Sequence, residues 1–240
     1  MTFRFVEQWP WSIALVSARP DGSMRFSDAS QNGTTGENRR VFLTRNGLSP
    51  GNLVRAQLVH GNNVHVVGAD QRGRMMMSTD GLVTSVPDVL LGITVADCVP
   101  VFFVDPSRRT IGLAHAGWRG LASGIIGRTI ERMVESFGSV PSRLWVGIGP
   151  CIGPCHYEIG PDVADQFSGY DGVIETREQR TFLDLRAVAR QQLVRLGVPI
   201  GQIETSPDCT YCDPARYFSY RRDKPEELET MMAVLGLRRV

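Results

Sequence analysis

The stretch Gly92-Ile-Thr-Val-Ala-Asp97-Cys98-Val-Pro-Val-Phe-Phe-Val-Asp105, followed after Pro106 to Arg109 by Thr110-Ile-Gly-Leu-Ala-His115-Ala-Gly-Trp-Arg119-Gly120, decides how the chain is organised. Val99 to Val104 is apolar and mostly β-branched or aromatic, the signature of a buried strand. Pro106 to Arg109 reads as a turn and Thr110 to Ala116 as a second strand. If the two form an antiparallel hairpin with Asp105 opposite Thr110, Pro100 faces His115. Cys98 then lies about two residues along, on a diagonal within roughly 8 Å. A thiolate and an imidazole meet at one end of the hairpin, where a single metal can touch both. Gly117 and Gly120 release the chain into a helix, with Leu121, Ile125, Ile126, Ile130, Met133 and Phe137 at helical spacing. Gly138 and Pro141 end it. Arg119 sits at the start of that helix, where free backbone N–H groups favour an anion.

Working outward, Phe3 to Val16 supplies one or two early strands around Pro10, and Asp21-Gly22 is a turn. Phe26 to Gly36 is polar and reads as a loop. A helix over Gly36 to Arg45 follows, capped by Thr34 or Thr35 and stopped at Asn46-Gly47. Arg39 and Arg40 fall near its start and face either an anion or solvent. Leu53 to Leu58 is a strand leading into Val59-His60-Gly61, so His60 stands at a strand-to-turn corner. Val64 to Val67, Asp80 to Thr84 and Val89 to Val95 are further strands. Leu144 to Ile148 is another, running into the Gly- and Pro-rich loop Gly149 to Glu158. Pro161 opens a short helix to Phe167. Asp184 caps a longer one with Leu185, Val188, Ala189, Leu193 and Leu196 on one face and Gly197 at its end. An apolar run, Met231 to Leu237, follows. Strands and helices mix without βαβ alternation, so residues 1–240 read as a single α+β domain.

Composition narrows the function classes. The 240 residues are 42% hydrophobic and 21% charged, enough for an ordinary core. No apolar run approaches the ~20 residues that cross a bilayer. A net charge of +1 gives no electrostatic case for nucleic acid or an anionic membrane as partner. Met1 to Trp11 lacks a clean apolar core and does not read as a secretory signal. Five cysteines, an odd number, then suit reduced thiols in a cytoplasm.

Two imidazoles and one thiolate, His60, Cys98 and His115, suit Zn²⁺, with Cu²⁺ as the competitor on affinity. Three protein ligands leave a position open for water or substrate, as catalytic zinc requires. The same pair, Cys98 with His115 as its base, can instead act as a nucleophile in acyl transfer or amide hydrolysis. Cys151, Cys155, Cys209 and Cys212 read as small buried apolar side chains, or else as a closed Cys₄ zinc site.

These segments together resemble the YfiH-like family, also called laccase-domain or polyphenol oxidase-like proteins and multifunctional purine nucleoside phosphorylases. The matching segments are Glu37-Asn-Arg-Arg40, Val59-His60-Gly61, Asp80-Gly-Leu-Val-Thr84, Thr94-Val-Ala-Asp97-Cys98-Val-Pro-Val101 and His115-Ala-Gly-Trp-Arg-Gly120. They continue through Gly149-Pro-Cys-Ile-Gly-Pro-Cys155, Tyr157-Glu158, Cys209-Thr-Tyr-Cys212 and Arg216-Tyr-Phe-Ser-Tyr-Arg-Arg-Asp223. The resemblance implies mixed β-sheets in a layered α/β/β/α arrangement and a zinc site at His60, Cys98 and His115. It implies phosphorolysis of adenosine, inosine, guanosine and methylthioadenosine, with adenosine deamination beside it. Relatives have also been given copper-dependent phenol oxidation and a peptidoglycan-precursor amidase role. The partners expected on this reading are a nucleoside and phosphate, with Arg119 and Arg40 holding the phosphate and Asp97 orienting Cys98 or acting as an acid. Leu58 stands where the family has Gln, Ser27 to Gly36 lacks the family's Gly-rich run, and Lys224-Pro-Glu-Glu-Leu-Glu229 replaces T-G-R.

Overall fold

The computed structural model describes residues 3–26 and 33–239. The chain opens with a short helix, α1 (Arg4–Glu7), and strand β1 (Ser12–Val16), then α2 (Thr34–Arg45). Strands β2 (Leu53–Ala56), β3 (Val64–Val66), β4 (Met75–Met76), β5 (Gly81–Thr84) and β6 (Leu90–Val95) follow. The central hairpin is β7 (Val99–Asp105) and β8 (Thr110–Ala116), succeeded by α3 (Trp118–Ala122) and α4 (Ile125–Phe137). The remainder comprises β9 (Trp145–Ile148), β10 (Glu158–Ile159), α5 (Pro161–Gln166), β11 (Ile174–Arg177), β12 (Arg180–Leu183), α6 (Leu185–Arg195), β13 (Ile203–Thr205), α7 (Tyr220–Asp223) and β14 (Met231–Leu237).

Two large mixed sheets pack face to face. One has the order β1-β14-β6-β2-β4, the other β13-β9-β7-β8-β5-β3. Alternation along each strand assigns its side chains to layers. From β7, Phe102 and Val104 enter the core between the sheets, beside Leu91, Ile93, Leu113 and Leu235, while Val101 and Phe103 face the other way. That outer face of the β7 sheet carries α4 and α6, through Ile126, Ile130, Met133 and Leu193. The outer face of the other sheet carries α2, through Phe42 and Leu43 against Leu53, Leu90 and Val234. The result is the expected α/β/β/α layering. Strands buried on both faces explain the unbroken apolar runs of β7 and β14. Phe102 and Phe103 have no solvent exposure, and truncating either to Ala would cost about 3–5 kcal/mol.

The hairpin register is the one the sequence implies: Asp105 opposes Thr110 and Pro100 opposes His115. Other expectations need correction. The first apolar segment is a helix rather than a strand, with Phe3 inserted against Phe102 at 5.1 Å between ring centroids. Helix α2 begins at Thr34, two residues early. Its N-cap is Gly33, with no side-chain cap, so Thr34 and Thr35 lie inside the first turn. Residues 27–32 of the expected Phe26 to Gly36 loop fall outside the described residues. The single helix expected over Leu121 to Phe137 is two, because Gly124 takes φ 85 and starts α4 afresh. The small sheet β10-β12-β11 has no apolar alternation strong enough to read from sequence.

Candidate metal centre

His60, Cys98 and His115 arrive from three separate parts of the chain, and their ligand atoms all lie within 4.8 Å of one another. Each position has a local cause. His115 is the penultimate residue of β8, held by β5 on one side and β7 on the other. Cys98 lies in the tight turn from β6 to β7, where Asp97 takes the left-handed backbone, φ 87. His60 also sits at positive φ, 60. Such backbone is strained for a side chain with a Cβ and persists only when its surroundings hold it.

What holds it is Asp80, fully buried just before β5. Its Oδ1 accepts from the His60 backbone N–H at 2.8 Å, and its Oδ2 accepts from the Gly61 N–H at 2.8 Å and the Val59 N–H at 3.4 Å. Asp80 Oδ1 also lies 3.2 Å from His115 Nδ1, and the Asp80 carbonyl accepts from the His115 N–H at 2.8 Å. One carboxylate therefore fixes both histidines. With Nδ1 committed to Asp80, His115 presents Nε2 to the centre. The two imidazoles meet edge-on, ring centroids 4.8 Å apart and planes at 85°.

Glycine makes room for this convergence. A Cβ on Gly117 would stand 2.9 Å from Cys98 Sγ and 3.5 Å from His60 Cδ2. A Cβ on Gly120 would stand 3.1 Å from the Gly61 carbonyl. The His115-Ala-Gly-Trp-Arg-Gly120 segment thus carries its glycines for close approach, and not only to open a helix.

Burial would raise the Cys98 thiol, but His115 and then His60 outweigh it and bring it down to about 6. Burial would lower His115, yet the Cys98 thiolate and Asp80 lift it to about 9. At neutral pH, with no ion between them, the pair is a thiolate facing an imidazolium. Asp80 is held below the usual carboxylate range: burial opposes this, and His115 with the Gly61 and His60 N–H groups prevails.

Asp97 is bracketed on both oxygens. Oδ1 accepts from Thr210 Oγ1 at 2.6 Å, and Oδ2 from the Arg221 N–H at 2.7 Å and Ser219 Oγ at 3.1 Å. Of the two roles read from sequence, this geometry suits orienting the Cys98 turn, since both oxygens are already tied to neighbouring backbone and hydroxyl groups. Near the same turn stands Tyr157, which no spacing in the sequence ties to the site. Its hydroxyl is pushed up, by burial first and by the Cys98 charge next, so it keeps its proton. Arg221 and Arg119 also lie close enough to Tyr157 to act on it, each pulling the other way. Arg221 stacks over the Tyr157 ring at 5.3 Å and donates to the Glu158 carbonyl at 2.8 Å. Arg119 is exposed in the first turn of α3, stacked over Trp118 at 4.4 Å. Neither arginine forms a salt bridge to a carboxylate among the described residues.

Arg40 does not join them. It is exposed and doubly bonded to Glu37, with Nε 2.7 Å and Nη2 2.5 Å from its carboxylate oxygens. It opens onto a cleft of about 520 Å³ lined by Arg39, Arg55 and Gly73, among others, and by none of the trio. Helix α2 covers the opposite sheet from α3, and that separates the two arginines. Leu58, standing where the family has Gln, packs at the edge of the inter-sheet core, and Gln57 faces Ser78.

Two imidazoles and one thiolate, pre-oriented and within reach of a common point, fit a divalent ion of the zinc type with an open position. A family model described as multi-copper polyphenol oxidoreductase laccase matches residues 16–238. A purine nucleoside phosphorylase of Deinococcus radiodurans is 39% identical over 227 residues, 93% of this chain and 86% of that protein. The purine nucleoside phosphorylase YlmD of Geobacillus stearothermophilus is 38% identical over 198 residues, 77% of this chain and 72% of its own. The crystal structure of the Bacillus licheniformis hypothetical protein YfiH matches with a TM-score of 0.90 at 32% identity, covering 97% of this chain and 95% of that one. Matched by that family model over residues 16–238 and by the YfiH structure over 97% of its length, the chain belongs to the YfiH-like family, the one described as laccase-type polyphenol oxidoreductases.

Proposed function

We propose that this protein is a zinc-dependent purine nucleoside phosphorylase that also deaminates adenosine at the same site. The observation that carries the reading is the open three-ligand cluster, with Tyr157 close to both Cys98 and two arginines, Arg119 and Arg221, that have no carboxylate partner among the described residues. The relatives' names supply the substrate class. Phosphorolysis forms a bond from a phosphate oxygen to C1′ and breaks the C1′–N bond to the base, giving a purine and ribose 1-phosphate. Zinc bound by His60, Cys98 and His115 supplies a Lewis-acidic centre with room for a substrate oxygen.

The chain's own groups divide the remaining work. Arg119 and Arg221 hold phosphate, since guanidinium binds it bidentately. Tyr157, protonated at neutral pH, offers a hydrogen bond on the same side. Asp80 fixes the His115 tautomer, and Asp97 fixes the turn that carries Cys98. Arg40 has no place in this reading. Purified zinc-loaded protein given adenosine and phosphate should release adenine and ribose 1-phosphate, and without phosphate should release inosine. Absence of both products would end the proposal.

The thiolate–imidazolium pair of Cys98 and His115 favours a second reading, an amidase acting on a peptidoglycan precursor. Cys98→Ala separates the two: a phosphorylase loses metal and activity together, whereas an amidase loses activity and keeps any metal. A copper-dependent polyphenol oxidase has less support. Four-electron reduction of dioxygen needs several redox centres, and the only other metal-binding cluster among the described residues is rich in thiolates.

A further inference from the structure

Away from the trio, four side chains converge that the proposed reaction does not use: Cys155, His156, Cys209 and Cys212. Their ligand atoms also lie within 4.8 Å of one another. Cys155 Sγ is 3.6 Å from both Cys209 Sγ and Cys212 Sγ, and Cys212 Sγ is 3.3 Å from His156 Nδ1. Around a tetrahedral zinc with Zn–S of ~2.3 Å and Zn–N of ~2.0 Å, two sulfurs stand ~3.8 Å apart and sulfur and nitrogen ~3.5 Å. The three contact distances each fall about 0.2 Å short of those spacings, and every pair is within 4.8 Å.

We propose that Cys155, His156, Cys209 and Cys212 form a second zinc site, closed and structural. This differs from the Cys₄ assembly read from sequence. Cys151 is fully buried in the core, with its Sγ against the Ile152 carbonyl at 3.5 Å, and His156 takes its place. Nor do the other three all read as small buried apolar side chains, since Cys155 and Cys212 are exposed and Cys209 is half-buried.

The surroundings favour a thiolate at Cys209, whose thiol is held below its usual range although burial opposes this. The Gly153 N–H donates to Cys209 Sγ at 3.1 Å. A Cβ on Gly153 would stand 3.2 Å from Cys155 Sγ and 3.0 Å from Arg186 Nη2, so the glycine lets both close in. Arg186, anchored on the Ser206 carbonyl at 3.1 Å, places a positive charge beside a centre whose three thiolates and one Zn²⁺ sum to minus one. The His156 ring stacks on Tyr211 at 3.9 Å and 14°, which fixes its direction. Four protein ligands leave no open position, the mark of a structural site.

Such a site would pin the Gly149 to Glu158 loop to the 209–212 turn. Their backbones meet only in the isolated bridge of Cys151 with Cys209 and in the bond from the Thr210 N–H to the Cys151 carbonyl at 3.0 Å. Thr210, next to Cys209, holds Asp97; Tyr157, next to His156, lies close enough to Cys98 to feel its charge. The second zinc would thus brace the wall behind the first, whichever reaction the trio performs.

Elemental analysis of protein purified without chelator tests this. About two zinc equivalents per chain are expected for the wild type, about one for Cys98→Ala and for Cys212→Ser, and none for the double variant. Cobalt loaded into Cys98→Ala should show strong sulfur-to-metal charge transfer and the intense visible bands of a tetrahedral site, both lost on adding Cys209→Ser. If the cysteine variants fail to fold, the wild-type holoprotein suffices: titrating it with a mercurial should release a second zinc in step with modification of three further thiols. A single equivalent that disappears with Cys98→Ala, or an intact mass showing Cys155 in a disulfide, would overturn the proposal.

Discussion

Asp80→Asn is the most informative single substitution, because it changes one atom and removes the anchor common to both histidines. The buried carboxylate accepts from His60 N and faces His115 Nδ1 with one oxygen, and accepts from Gly61 N and Val59 N with the other. An amide offers one acceptor and one donor group, so one of those sides must face N–H with N–H. Turning the NH₂ toward Gly61 leaves a buried donor without an acceptor, at about 1–3 kcal/mol, and removes the charge from the remaining bonds. The sum is about 2–4 kcal/mol of stability. Turning the NH₂ toward His115 instead makes Nδ1 the acceptor and puts the proton on Nε2, where the metal should bind. Either way zinc affinity should fall about 10–100-fold.

Urea unfolding of the metal-free protein and competition titration with a chromophoric chelator, both at pH 7, measure the two effects. The stability penalty should also depend on pH. A folded carboxyl held below its usual range stabilises fully above that range and loses its contribution as pH falls through the folded value, so wild type and variant should converge in strong acid. An unchanged urea midpoint together with affinity within twofold of wild type would refute the assignment of Asp80 as anchor.

Gly117→Ala should separate the site from the fold. The backbone there, φ −75 and ψ 173, tolerates alanine, but the new Cβ would press on Cys98 Sγ. Zinc affinity should drop about tenfold or more, while the thermal midpoint of metal-free protein moves little. Zinc affinity should rise with pH. Between about 6 and 9 the incoming ion must expel the His115 proton, giving roughly tenfold tighter binding per unit, and below about 6 the Cys98 proton steepens the slope. A flat profile in competition titrations across that range would contradict the thiolate–imidazolium pair. Arg119→Ala should raise KM for phosphate about 10–100-fold in steady-state assays, with kcat for deamination and the urea midpoint nearly unchanged, because the side chain is exposed and its proposed role is to hold the anion.

The hairpin was legible because strands buried on both faces write unbroken apolar runs, and because a four-residue turn leaves one sensible register. Cys98 and His115 followed from that register. His60 is different: its strand-to-turn corner and its residue type marked it as a candidate, but no register tied it to the pair, and the family resemblance supplied the specific match. Asp80 went unread because its work is done through backbone N–H groups 19 to 21 residues earlier, which no side-chain pattern records. Arg40 was misplaced because helix-start chemistry says what a residue can bind but not which side of a four-layer sandwich it occupies. The four cysteines looked like one set by spacing. Burial divided them, and the histidine adjoining Cys155 completed the group.

Strand β14 lies between β1 and β6, antiparallel to both, although it is made last of the three. During synthesis β1 has nowhere to dock, and the apolar edge of β6 stays open, until residues 231–237 have cleared the ribosome. Assembly of this sandwich must therefore wait for that segment, and chains stopped short of it should expose the β6 edge and aggregate.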